Sequence, residues 1–119
     1  MDTIRRLCKE KEEIRVVSDQ IGAPTFTMDM ARAIALMAAR GAAGIFHLAN
    51  SGYASWYEVA FHVARRINPL CRVAPCATEE LPRPARRPAN SRLDCSKARE
   101  ELGIALRHWA EAVDEYLGV

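Results

Sequence analysis

IRVVSDQIGAPT, residues 14–25, runs from a β-branched stretch into a polar turn, and that junction decides the fold. Ile14 to Ser18 reads as a strand, because branched side chains suit a pleated surface, and Asp19 opens the turn. Gly22 and Pro24 then break regularity. Before the strand, residues 2–12 place Ile4, Leu7 and Cys8 on one face with charges elsewhere, which predicts a short amphipathic helix. After it, TMDMARAIALMAAR (27–40) predicts a second helix, with Thr27 as N-cap, Met30, Ile34 and Met37 at helical spacing, and Gly41 near the C-cap.

Further out the alternation of strands and helices continues. GIFHLA (44–49) predicts a strand ending in the turn Asn50, Ser51, Gly52. Ser55 followed three residues later by Glu58 is a capping box, in which a hydroxyl and a carboxylate satisfy opposite orphan backbone donors. The helix it opens runs to about Ile67 and stops before Pro69. Arg72 to Cys76 reads as a short edge strand, since Pro75 has no N–H to give a ladder. LPRPARRPANSRL, residues 81–93, holds three prolines and four arginines and predicts a stiff, extended, exposed loop. Asp94 is placed to cap a helix over Cys95 to Leu102 that Gly103 ends, and a last helix from about His108 carries Trp109, Val113, Tyr116 and Leu117. This order of elements is that of a mixed α/β fold.

Composition sets the limits. The chain has 119 residues, half of them apolar, and a formal net charge of +2, which predicts one compact, well-cored domain. A Rossmann domain plus a substrate domain would need about 250 residues. The small charge excess argues against nucleic acid as a partner. No apolar run reaches the roughly 18 residues of a membrane helix, and Met1 is followed by charges, so no membrane association and a cytoplasmic location are expected. Cys8, Cys71, Cys76 and Cys95 form no CxxC pair and read as reduced, structural thiols, with Cys71 and Cys76 as a remote redox pairing.

No catalytic apparatus is visible. There is no GxGxxG or GxxxxGK loop, and Tyr53, Tyr57 and Tyr116 lack the lysine four residues on that lowers a reductase tyrosine's pKa. A nucleophile elbow and an HExxH helix are absent too, so no catalytic, cofactor-binding or metal-binding residue is assigned. Three binding-type features remain. Asp19–Thr25 is either a plain turn or a set of ligand contacts at the carboxyl end of a strand. Arg83, Arg86, Arg87 and Arg92 are either a solvated charge run or planar donors for a phosphate or diphosphate. Trp56 and Tyr57 open a helix, where aromatics more often pack a core. His47 reads as a half-buried, hydrogen-bonded strand residue, His62 and His108 as helix-surface residues, and Met28, Met30 and Met37 as core or interface packing.

Taken in order, VVSDQIGAPT, GIFHLANSGYASWYEVA, LPRPARRPANSRLDCSKA and a terminal tryptophan helix resemble the C-terminal part of the dTDP-4-dehydrorhamnose reductases. Asp19, Gln20, Gly22, Pro24 and Thr25 carry the resemblance, with Ser55 to Glu58 and with Arg87, Pro88, Asn90, Ser91 and Leu93. These are extended short-chain reductases. The resemblance implies an N-terminal Rossmann domain that binds NADPH, and a C-terminal part that closes over a dTDP-sugar. The reaction it implies reduces dTDP-4-dehydro-L-rhamnose to dTDP-L-rhamnose for cell-surface polysaccharide. Residues 1–119 would then be a single substrate-domain fragment without the Rossmann half, inactive alone and binding no cofactor itself. By the same resemblance Gln20 lies near the junction of sugar and cofactor, Arg87 and Asn90 face the diphosphate, and Trp56 packs beneath the site. Separation from a Rossmann partner would expose apolar surface and an unpaired edge at Ile14 to Ser18, which predicts a homo-oligomer. Rival readings are a non-catalytic regulatory subunit similar to that of methionine adenosyltransferase, and an interaction module using PRPARRP as an extended ligand.

Overall fold

In chain order the elements are α1 (Asp2–Glu10), β1 (Glu13–Val17), β2 (Ile21–Gly22), α2 (Thr27–Ala39), β3 (Asn50–Ser51), β4 (Ala54–Ser55), α3 (Trp56–Ile67), β5 (Arg72–Cys76), a 3-10 turn (Thr78–Glu80), α4 (Ser96–Leu102), β6 (Leu106–His108) and α5 (Trp109–Leu117). The computed structural model describes residues 1–81 and 84–119. The chain divides into two compact units, the first made of residues 1–22, 54–91 and 119, the second of 23–53 and 92–118. No described helix is long and apolar enough to cross a membrane.

In the first unit β1 and β5 pair in parallel, from Glu13 opposite Arg72 to Val17 opposite Cys76. Ile14 and Val16 share one face of the pleat with Val73 across from Ile14, and that face packs with Cys8, Ala60, Ala64 and Cys71. The amphipathic spacing of α1 is what delivers Cys8, its fully buried residue. On α3, Val59, Ala60, Val63 and Ala64 form one buried stripe, and full burial of each valine contributes about 1.5–3 kcal/mol. The predicted capping box starts this helix: Ser55 Oγ accepts from the Glu58 N–H at 3.1 Å, and Glu58 Oε2 accepts from the Ser55 N–H at 2.6 Å. The Asn68 amide closes it, donating to the Cys8 carbonyl at 2.9 Å.

In the second unit β3 and β6 pair in parallel, Asn50 opposite Leu106. Ala33, Ala98, Ile104, Trp109, Ala112 and Val113 are buried there. Asn50 is the buried polar centre: its Oδ1 accepts from the Phe26 N–H at 2.8 Å, and its Nδ2 donates to Asp29 at 2.8 Å and to the Arg107 carbonyl at 3.2 Å. Arg107 grips Asp29 with two bonds, of 2.8 and 3.0 Å, and reaches Glu115 at 2.5 Å.

Several expectations change. Residues 45–49 form no strand, which is confined to Asn50–Ser51. Gly44 has φ +99°, and Lys97 occupies the segment instead, donating to the Ile45 carbonyl and lying over the Phe46 ring. His47 is therefore exposed and on no strand. Thr27 is the first helical residue rather than the N-cap; Phe26 fills that position and, having no side-chain acceptor, makes no side-chain cap, while its N–H is bound to Asn50 and its ring meets Tyr116 edge-on. The Met30–Ile34–Met37 face is not buried as one, since Ile34 is 55% exposed and only Ala33 of α2 is buried. Helix α4 starts one residue late: Asp94 Oδ1 accepts from the Ser96 N–H, leaving Cys95 in the cap position. His108 ends β6 and caps α5, its Nδ1 accepting from the Ala110 N–H, rather than lying on a helix surface. Residues 14–17 are paired with β5 along one edge; the opposite edge has no strand partner among the described residues. All four cysteines are free thiols, Cys8, Cys71 and Cys76 buried. Burial first, and the neighbouring Cys71 thiol second, push Cys8 up to about 12.

Candidate functional site

The turn after β1 and the arginine segment meet in the first unit. Ile21 donates to the Ala89 carbonyl at 2.8 Å, and Ser91 returns a bond to the Ile21 carbonyl at 2.9 Å. Gly22 is what permits this approach, because a Cβ there would lie 2.7 Å from Ser91 Oγ. The two bonds pin residues 89–91 beside the turn, and between turn and segment lies a groove of about 870 Å³. That volume is within the range of small-molecule sites.

Gln20, Arg86, Arg87, Trp56, Asp19 and Thr78 are among the residues lining the groove. Of the three residues singled out for substrate, Gln20 and Arg87 thus both line the groove, whereas Asn90 is exposed, bridges to Ile21 through its backbone, and is not part of the lining. Arg83 lies outside the described residues. Trp56 is 44% exposed and faces the groove as lining, where packing beneath the site was expected. Arg92 leaves this group, with its guanidinium 5.4 Å from the centre of the Tyr53 ring in the second unit.

The charges are arranged unevenly. Arg15 on β1 is committed to Glu80 of the 3-10 turn by a short ion pair, and Glu80 also accepts from the Ala77 N–H at 2.8 Å. These two donors, the backbone one first, hold the Glu80 carboxylate below its ordinary range. Arg86 and Arg87 have no ion-pair partner among the described residues and stay exposed on the groove's edge. Two adjacent guanidiniums without internal partners suit an oxyanion, since each fork matches phosphate oxygens. Asp19, which also lines the groove, accepts from the Thr78 N–H at 2.9 Å and from its hydroxyl at 2.7 Å. Those bonds, backbone first, keep Asp19 below the usual carboxylate range and so ionised at neutral pH. Thr78 is a polar lining residue that sequence reasoning missed. Nothing in ATEE marks it; only its distance from Asp19 in the folded chain does.

The whole chain, residues 1–119, matches the family model described as the RmlD substrate binding domain. The chain belongs to that family. Among curated proteins it is 43% identical over 117 residues to the spore coat polysaccharide biosynthesis protein SpsK of Bacillus subtilis, covering 98% of this chain and 41% of that one. The crystal structure of a dTDP-4-dehydrorhamnose reductase from Clostridium acetobutylicum superposes with a TM-score of 0.94 at 38% identity, over 98% of this chain and 42% of that one. A Bacillus anthracis dTDP-4-dehydrorhamnose reductase in complex with NADP gives a TM-score of 0.91 at 33% identity, over 99% and 42%. The chain therefore spans about two fifths of the length of these relatives. The regulatory-subunit and interaction-module readings gain nothing from these matches.

NADP is bound by that relative, and the residues present here do not form a cradle for it. The sequence has no glycine-rich loop. The turn after β1 leads into β2 rather than into the N-terminus of a helix, where a dinucleotide's pyrophosphate would be held. No cluster of three or more metal-ligating side chains occurs among the described residues.

Proposed function

We propose that this chain is the nucleotide-sugar-binding part of a dTDP-4-dehydrorhamnose reductase. Its groove would hold a dTDP-sugar, with Arg86 and Arg87 on the diphosphate, Gln20 hydrogen-bonding the ligand, and Asn90 steadying the segment from outside the groove. The single observation that carries the reading is the pair of guanidiniums, without an ion-pair partner among the described residues, on a groove also lined by the neutral polar side chains of Gln20 and Thr78. The groove thereby offers both cationic and neutral hydrogen-bonding groups, as a ligand with a charged diphosphate and neutral base and sugar requires. In this reading the reduction of the 4-keto group, with NADPH as reductant, rests on residues other than these 119. Residues 1–119 then act as one substrate-binding piece that self-associates.

Calorimetric titration of the chain with dTDP and dTDP-L-rhamnose tests it. Binding should be measurable for both, and Arg87→Ala should weaken it about ten- to a hundredfold, the loss of a charge-assisted bond. Equal affinity in the wild type and the Arg87→Ala chain overturns the diphosphate assignment, and absence of binding at millimolar ligand overturns the groove as a self-sufficient site.

A further inference from the structure

The orientation of the Gln20 side-chain amide follows from its neighbours in the groove. Thr78 Oγ1 has a single hydrogen and gives it to Asp19 Oδ1 at 2.7 Å, while Thr78 N–H goes to Asp19 Oδ2 at 2.9 Å. An ionised carboxylate only accepts, so the hydroxyl has no hydrogen left for a third partner and can only accept in turn. Gln20 lies 2.9 Å from that hydroxyl and must therefore turn its Nε2 toward it. With the amide reversed, two oxygens without a hydrogen between them would face each other. Gln20 Oε1 is left as an acceptor, and it makes no bond to any described residue.

We propose that Asp19 and Thr78 are positioning residues which fix the Gln20 amide so that the groove offers ligand a hydrogen-bond acceptor at Oε1. The inference rests on the groove being the ligand site. Its ligand partner must be a donor, either an N–H of the pyrimidine base or a hydroxyl of the sugar. Asp19→Asn should invert the relay rather than merely weaken it. The Thr78 N–H still requires an oxygen opposite it, so the new amide presents Nδ2 to the Thr78 hydroxyl. That hydroxyl then turns its hydrogen toward Gln20, and the Gln20 amide reverses.

Two measurements test this, the first without any ligand. In nuclear magnetic resonance spectra of the free chain, the Gln20 side-chain amide protons should exchange slowly and shift in both Asp19→Asn and Thr78→Val, two changes at exposed or half-buried positions. Unchanged Gln20 signals in Asp19→Asn overturn the relay, whatever the groove binds. The second is titration with dTDP and dTDP-L-rhamnose. Asp19→Asn should weaken binding about three- to tenfold, and should change nothing further in a Gln20→Ala background, which a general loosening of the loop would not reproduce. A loss already present with dTDP places the donor on the nucleotide; one seen only with dTDP-L-rhamnose places it on the sugar. Undiminished binding, or an equal loss without Gln20, overturns the proposal. If the wild type binds neither ligand, the groove reading fails while the amide signals still decide the relay.

Discussion

Asn50 shows what a single buried side chain does in the second unit. It is 2% exposed, and its amide joins the start of α2, Asp29 and the carbonyl of Arg107 in one network. Asp29 is half-buried, and the Arg107 guanidinium first, then the Asn50 amide, hold its carboxyl below the usual carboxylate range. A depressed folded pKa means stability that is present above about pH 4 and lost as pH falls through the lower folded value. Asp29→Asn should lower stability by about 1.5–3 kcal/mol at pH 7, because it leaves Arg107 with Glu115 alone. Thermal melts from pH 6 down to pH 3 should then fall less steeply in the variant than in the wild type. Parallel curves would show that Asp29 is not the titrating group. None of this was legible beforehand. Asn50 read as a turn residue, and Asp29 and Arg107 stand 78 positions apart, so only the folded chain pairs them.

Among the elements, those with local signals were legible and those made by distant contacts were not. Helix α3 declared itself through Ser55 and Glu58, and α5 and the end of α4 through apolar spacing and Gly103, which takes φ +60°. The cap is also the easiest to test. Ser55→Ala removes the acceptor for the Glu58 N–H and should destabilise the first unit by about 1 kcal/mol, read as a lower urea midpoint with unchanged slope. A change within error would show that Glu58 alone sustains the helix start. Residues 45–49 failed as a strand for the complementary reason. Alternation of GIFHLA is a local pattern, but it has no ladder partner among the described residues, and a lysine from α4 takes the Ile45 carbonyl. For the groove, the turn at Asp19–Thr25 and the arginine segment were both visible as candidates. Their adjacency came from Ile21 bonding to residues 89 and 91, and the role of Thr78 from a 59-residue separation that no spacing reveals.

At the scale of the molecule, the exposed apolar side chains bear on assembly. Met28, Ile34 and Leu36 on α2 are 51%, 55% and 40% exposed, and β1 keeps one edge without a strand partner among the described residues. Apolar surface of this kind favours association. Sedimentation velocity at increasing concentration should show a species heavier than the 13.3 kDa monomer, shifted back toward monomer by Ile34→Glu. A single monomer boundary at every concentration overturns the expectation. The order in which the chain visits its two units has a different consequence. The thread enters the first unit, leaves it after Gly22, returns at Ala54 and departs again after Ser91. During vectorial synthesis β1 waits for β5, and Asn50 and Asp29 wait for Arg107. Neither unit can be released as an autonomous piece by one cut, and in a nascent chain stalled before residue 72 the residues of the first unit already made should remain open to protease.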